Sequence, residues 1–275
     1  DEARFQHYAL IHAGYSVDFL DEQAIASNDF AARGYQAIYV NGPNLPPAAV
    51  ANLAAWVNSG GVLAITPGAA VADQYDEPNG DMDLLAGLGA RVAVRVGSPQ
   101  PLHPVGDCLL SDALLGTNTI PVMTPGIRLD LAGANAVASW SDGGAAIASR
   151  TVGAGRVLSY GFFPGYQYWI TSDRDNSVGV PFYSQRLPFG WGKAQRDMAA
   201  LPARVANASR KHTSSHELVE VCVLRSDAGI GLVLLNWGEA PIANYSVSAP
   251  DVGEFTRVTA ATGASVVVSE QDGVR

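Results

Sequence analysis

The segment with the most chemical information is residues 53–70, which predicts a helix, a glycine-containing turn, an apolar strand and then a bend. In many α/β enzymes a strand-end bend of this kind carries the catalytic serine or cysteine. Here the bend reads Pro67-Gly68-Ala69-Ala70, and none of these side chains can attack a substrate. The sequence therefore predicts an enzyme-like scaffold without a nucleophile at this position, and no catalytic residue is assigned.

Cys108 is the alternative nucleophile. A catalytic thiol needs a histidine that accepts its proton and a carboxylate that orients the histidine. His103 is nearby, but the spacing matches no known arrangement, and residues 106–110 lack the small side chains of a tight elbow. Cys108 and Cys222 also have no metal-ligand spacing. A glutamine hydrolase that uses Cys108 is kept as one alternative function, against an ordinary thiol.

A run of carboxylates follows the same bend. Loops after the carboxyl ends of parallel strands line the ligand crevice of such sheets, and hard cations prefer oxygen ligands. The competing interpretation, which we favour, is a solvated polar loop. Asp73 and Asp76 are kept as candidate ligand-binding or interface residues, while no metal site and no cofactor is predicted. The full run is Asp73, Asp76, Glu77, Asp81 and Asp83.

The densest aromatic patch lies within residues 160–191 and includes Tyr166, Tyr168 and Trp169. Aromatic rings stack on sugar rings, and they also anchor protein interfaces. Core packing, a protein interface and carbohydrate binding all remain open for the patch. We predict Tyr166, Tyr168 and Trp169 as ligand-binding or interface residues.

Composition limits the partners. Hydrophobic residues make up 48% of the 275 residues and charged residues 16%, which is typical of a folded protein. A net charge of -9 argues against nucleic acid or an anionic membrane as partner. No apolar run approaches the roughly 20 residues that cross a bilayer. The chain opens at Asp1 without a signal peptide, so we expect a cytoplasmic segment of a longer protein.

The elements that must position these residues alternate between helix and apolar strand in the first part of the chain. This alternation predicts an α/β, flavodoxin-like parallel sheet over residues 1–180, to which β-hairpins are added. Predicted helices are residues 3–13, 46–57 and 83–88. Predicted strands are residues 15–20, 36–40, 62–66 and 91–96, and then 127–131, 136–140, 145–150 and 156–161 in the hairpins.

The remainder of the chain predicts a helical connector over residues 181–216 and a truncated β-sandwich over residues 217–275. Within the connector, Pro202 is expected to kink or divide a helix over residues 191–209. The sandwich is predicted from strand-like runs at a spacing of about ten residues. These runs are residues 218–225, 231–236, 244–249 and 257–260.

Several short motifs share their order with a known family: residues 12–19, 34–40, 57–61, 83–89 and Val152-Gly153-Ala154-Gly155-Arg156-Val157. With them, about the first 165 residues resemble the trimerisation domain of family 42 β-galactosidases. That domain is a catalytically silent branch of the class I glutamine amidotransferase-like fold. The family pattern places one more strand before the first helix, which this chain lacks. Its two catalytic glutamates lie in an upstream barrel, so neither can be assigned here.

The resemblance implies a non-catalytic accessory or oligomerisation module of a glycosidase-like protein. Its expected partners are other copies of itself or an upstream catalytic barrel domain, with carbohydrate as a further ligand. Two alternatives remain: a carbohydrate-binding module that uses the aromatic patch, and the Cys108 hydrolase.

Overall fold

The computed structural model describes residues 2–89, 106–110, 118–123, 126–170, 190–238, 240–250, 252 and 257–269. The chain divides into two compact units. The first comprises Asp1–Leu10 and Val17–Ala208, and the second comprises Ile11–Ser16 and Ser209–Arg275. The predicted domain limits at residues 180 and 216 stay predictions.

The first unit contains a mixed sheet of seven strands in the described residues, in the order β1-β2-β7-β6-β5-β3-β4. Strands β1, β2 and β7 are parallel, and the other pairings are antiparallel. The predicted α/β architecture with added hairpins is confirmed, and its flavodoxin-like topology stays a prediction. The strands are β1 Ala37–Val40, β2 Val62–Ile65, β3 Gly106–Leu110, β4 Asn118–Val122, β5 Asn135–Trp140, β6 Ala145–Val152 and β7 Gly155–Tyr160.

The helices of the chain are mostly short. The predicted division at Pro202 is confirmed, because this proline stands in the first turn of α7, where its missing N–H costs nothing. The helices are α1 Glu2–His12, α2 Glu22–Ala26, a 3-10 helix Asp29–Arg33, α3 Pro47–Asn58, α4 Asp81–Ala86, α5 Pro164–Ile170, α6 Lys193–Ala199 and α7 Leu201–Val205.

Strand β2 and helix α3 form the centre of the core. All four residues of β2 are buried, as expected for a strand that is covered on both faces. Helix α3 starts at Pro47, a residue that suits a first turn, and it buries Val50, Leu53 and Val57. These three side chains share one face of the helix, so α3 packs its apolar face into the same cluster as Leu63 and Ile65.

Residues 15–20 form no strand, contrary to the sequence prediction. Tyr15 instead lies under the guanidinium of Arg210, whose carbon is 5.0 Å from the ring centroid. Phe19 is 64% exposed and contacts His7, with ring centroids 5.2 Å apart. Tyr15 and Phe19 therefore make separate aromatic contacts, while Leu20 packs against the core cluster that contains Leu63 and Ile65.

Two other strand predictions have different outcomes. Residues 127–131 form only isolated bridges, between Leu129 and Ala145 and between Leu131 and Leu88. The strand predicted at residues 91–96 lies outside the described residues.

The second unit contains two small antiparallel sheets in its described residues. Strands β9 (Val219–Ser226) and β10 (Gly229–Asn236) form a hairpin, and β8 (Thr213–Ser214) pairs with β11 (Val247–Ser248). The predicted strand at residues 257–260 is not formed, and Val258 is 43% exposed. The β-sandwich stays a prediction.

Candidate functional site

The carboxyl ends of β1 and β2 are joined by hydrogen bonds from Thr66, the first residue after β2. Its backbone N–H donates to the carbonyl of Val40 at 3.3 Å. Its hydroxyl donates to Oδ1 of Asn41, also at 3.3 Å. These two hydrogen bonds therefore hold the strand ends together at the edge of the sheet where parallel α/β proteins bind ligands.

The bend that follows is buried and carries only small side chains. Ala69 is 0% and Ala70 1% exposed. Gly68 and Ala70 have positive φ angles of 76° and 51°, and the N–H of Ala70 donates to the carbonyl of Gly42 at 2.8 Å. A strained backbone of this kind presents the nucleophile in α/β hydrolases. Here the strained position presents a buried methyl group, which supports no nucleophilic chemistry.

The left-handed conformation of Ala70 leads to a stability prediction with a built-in control. Ala69→Gly should cost about 1.5 kcal/mol, because it removes a buried methyl group and adds backbone entropy to the unfolded chain. Ala70→Gly has the same two costs, but it relieves left-handed strain of about 1–2 kcal/mol. We expect its stability to stay within about 0.5 kcal/mol of the parent. Urea unfolding measures both, and equal losses would contradict the strain argument.

Asp73 and Asp76 of the acidic loop accept hydrogen bonds from other residues of the chain. Oδ1 of Asp73 accepts hydrogen bonds from the N–H groups of Tyr75 at 2.8 Å and Glu77 at 3.0 Å. Oδ1 of Asp76 accepts one from Nδ2 of Asn44 at 2.6 Å. Across the described ranges, no group of three or more His, Cys, Asp or Glu residues is arranged to hold a metal ion. A ligand-binding role for Asp73 and Asp76 stays a prediction.

The predicted aromatic residues Tyr166, Tyr168 and Trp169 all lie on α5. Tyr168 is 0% exposed and packs on Trp191, with ring centroids 4.9 Å apart. The ring of Phe5, from α1, stacks on Trp169 at 4.8 Å and on Tyr166 at 5.6 Å. These rings therefore stack on one another within the first unit, and only Tyr166 and Trp169 keep partly exposed side chains.

Sequence reasoning missed Glu2, which joins α1 to α5. Its carboxylate oxygens accept hydrogen bonds from the N–H groups of Gly165 at 2.8 Å and Tyr166 at 2.7 Å. The residue as a whole is half-buried, but its carboxylate lies within the contact of the two helices. Burial raises the pKa of Glu2 to about 7, although the two hydrogen bonds act in the opposite direction. In sequence Glu2 is an ordinary acid in a first helical turn.

The raised pKa of Glu2 predicts a pH dependence of stability. Between the ordinary pKa of 4.5 and about 7 the folded chain binds more protons than the unfolded one. The free energy of unfolding should therefore fall as pH rises through this window, by at most about 3 kcal/mol. Glu2→Gln should remove this slope. Urea unfolding of the parent and of Glu2→Gln from about pH 5 to about pH 8 tests this prediction. If the free energy of unfolding changed with pH in the same way in both proteins, the prediction would be contradicted.

Both cysteines lie within β-strands. The backbone of Cys108 stands in the middle of β3 and pairs with Ile120 on one side and Trp140 on the other. It is therefore not at a strand-end bend. Cys222 is half-buried and lies 3.3 Å from Oε1 of Glu220. Burial, together with the Glu220 carboxylate, raises the pKa of Cys222, so its thiol stays protonated near neutral pH.

The chain is similar to known proteins in fold only. No family model matches the chain, and no curated protein matches its sequence. The structure is similar to a β-galactosidase from Bacillus circulans sp. alkalophilus, with a TM-score of 0.61 and 13% identity over 86% of this chain. It is also similar to a GH42 β-galactosidase from G. stearothermophilus, with a TM-score of 0.57 and 12% identity over 91%.

The similarity extends to another kind of glycosidase. An α-L-fucosidase isoenzyme 2 from Paenibacillus thiaminolyticus has a TM-score of 0.52 and 11% identity over 90% of this chain. The chain spans 31%, 32% and 38% of the length of the three proteins. They share the fold of this chain and are themselves much longer polypeptides. Within the described residues, none of the helices has the length and apolar character that crossing a membrane requires.

Proposed function

We propose that this chain is a non-catalytic accessory and oligomerisation module of a glycosidase-related protein. The observation that carries the proposal is the bend after β2, which presents only the buried methyl groups of Ala69 and Ala70, whereas a strand-end bend in α/β hydrolases carries a nucleophile. The fold shared with long β-galactosidases supports the glycosidase part. The finer assignment, to the trimerisation domain of family 42, depends on the sequence motifs described above.

The half-buried aromatic side chains of α5 support the oligomerisation part. Tyr166 and Trp169 are held in place by the ring of Phe5, and Tyr166 is further fixed by the Glu2 hydrogen bond to its N–H. Rigid aromatic side chains that are partly exposed are typical anchors of protein interfaces. The partner is a second copy of the chain or a catalytic barrel domain of the same protein.

Three measurements on the purified chain test the proposal. We expect no turnover of chromogenic galactosides and no ammonia release from glutamine. Galactoside turnover, or ammonia release that disappears in Cys108→Ser, would overturn the non-catalytic role. We also expect light scattering to show self-association that increases with protein concentration. A monomer at every concentration would leave only the barrel domain as partner.

A matched pair of variants locates the interface. Tyr166→Arg places a charge on the predicted interface, so it should dissociate the oligomer while the fold, followed by circular dichroism, is retained. Tyr75→Arg makes the same change at a tyrosine that is 77% exposed in the acidic loop. It should leave the oligomer unchanged. If the two variants had the same oligomeric state, α5 would not be part of the interface.

A further inference from the structure

Strand β10 carries large apolar side chains on both of its faces. Ile230 and Leu232 project from one face of the hairpin, and Val233 and Leu235 project from the other, because side chains alternate along a strand. All four are 39% to 44% exposed, and β10 contains no charged residue and no proline. A strand that is apolar on both faces is typical of the interior of a sheet, yet β10 stands at the surface.

The outer edge of β10 is open in the part of the chain that the structure describes. The N–H of Trp237 donates to the carbonyl of Leu218, so in this antiparallel hairpin every second residue of β10 bonds to β9. The intervening residues Ile230, Leu232 and Leu234 direct their N–H and C=O groups away from β9. Among the described residues this sheet has two strands, and none bonds to the outer edge of β10. Each of the three residues therefore offers a donor and an acceptor to a further strand.

We propose that β10 is a strand-addition site, at which two copies of the chain pair their β10 strands. Antiparallel pairing of the two identical edges places Leu232 opposite the partner's Leu232 and Ile230 opposite the partner's Leu234. Each outward N–H then meets an outward carbonyl. The pairing brings no charges together, although the chain carries a net charge of -9. It occupies both β10 edges at once, so the assembly closes with two copies.

The size of this contact indicates a weak dimer. The eight residues of β10 extend over about 27 Å at the usual rise of a strand. One strand edge of this length is much smaller than the surface of about 800 Å² that each partner buries in a stable complex. We therefore expect the pairing at higher protein concentrations than the α5 interface requires. It uses residues of the second unit only and does not depend on the function proposed above.

Oxidative cross-linking tests the proposal in the parent chain and in Tyr166→Arg, which disrupts the interface proposed at α5. Opposite residues that exchange hydrogen bonds in an antiparallel pair have Cα atoms about 5.5 Å apart, a distance that a disulfide spans. Leu232→Cys should therefore link two copies through residue 232 in both backgrounds. Leu224→Cys is the control, because Leu224 lies on β9 and is more exposed, at 60%.

The link at residue 232, mapped by mass spectrometry, should form about tenfold faster than the one at residue 224, since pairing raises the effective concentration of the two thiols. Equal rates at the two positions would overturn the proposal. A link at residue 232 that formed in the parent but not in Tyr166→Arg would also overturn it, because the contact would then depend on α5.

Charge substitution at the centre of the pairing gives a second test in the Tyr166→Arg background. Leu232→Lys alone and Leu232→Glu alone should stay monomeric in sedimentation at concentrations where Tyr166→Arg dimerises, because like charges would lie opposite each other. A mixture of the two should dimerise again, since opposite charges then meet. A mixture that stayed monomeric would overturn the proposal, as would a Tyr166→Arg chain that was monomeric at every concentration.

Discussion

Gly155→Ala should lower the free energy of unfolding by about 4 kcal/mol. A methyl group on Gly155 would overlap the backbone oxygens of Val57 and Gly61, and no flexible side chain is there to move aside. The turn between β6 and β7 would have to separate from the end of α3. Two hydrogen bonds would be lost with it, from Ala154 to Asn58 at 3.0 Å and from Arg156 to Gly61 at 3.1 Å.

Gly42→Ala is the control for this change, because a methyl group there meets no atom within 4 Å. Urea unfolding followed by circular dichroism measures both variants, and only Gly155→Ala should shift the midpoint strongly. If the two variants were equally stable, the close approach of this turn to α3 would not be a feature of the protein in solution.

Gln167→Ala should cost about 3 kcal/mol. The side chain of Gln167 is 0% exposed and joins α5 to the end of β4. Its Oε1 accepts the N–H of Met123 at 2.7 Å, and its Nε2 donates to the carbonyl of Pro121 at 2.8 Å. Alanine would remove the partner of both backbone groups and leave empty the volume that the buried Gln167 side chain fills, and both losses are costly.

Two further variants make the Gln167 prediction specific. Gln74→Ala removes an exposed glutamine and should change stability by less than about 0.5 kcal/mol. Gln167→Glu keeps the acceptor for Met123 but, when ionised, loses the donor to Pro121. Its stability should therefore recover on acidification, as the carboxyl regains a proton that it can donate. A pH-independent loss in Gln167→Glu would contradict the hydrogen-bond assignment.

Local patterns were sufficient to predict much of the first unit. The apolar runs at β1 and β2, the proline at the start of α3 and the glycine turn between β5 and β6 each depend on neighbours in sequence. The division of the predicted helix at Pro202 also depends only on local sequence. The missing nucleophile after β2 was also visible, since it needs only the identity of the residues in the bend.

The contacts that join distant segments could not be predicted. Glu2 binds the N–H groups of Gly165 and Tyr166, and Gln167 binds Pro121 and Met123. No spacing rule connects residues so far apart in the chain. The strand prediction for residues 15–20 was wrong for a related reason. Residues with strand propensity form a strand only where a neighbouring strand offers an edge to pair with. The hydrogen bond from Thr66 to Asn41 likewise joins residues that follow two different strands.

The order of strands in the large sheet has a consequence for how the chain folds. Strands β5, β6 and β7 are consecutive hairpin neighbours, whereas β2 reaches its partner β7 through the pairing of Val62 with Arg156. Val62 and Arg156 are far apart in sequence, and closing the long loop between them is entropically costly. We therefore expect the hairpins to form before the parallel strands pair. During synthesis β2 emerges after its first partner β1 but well before β7, so one edge of this wholly apolar strand stays unpaired until β7 is made. This interval is when the nascent chain is most exposed to aggregation.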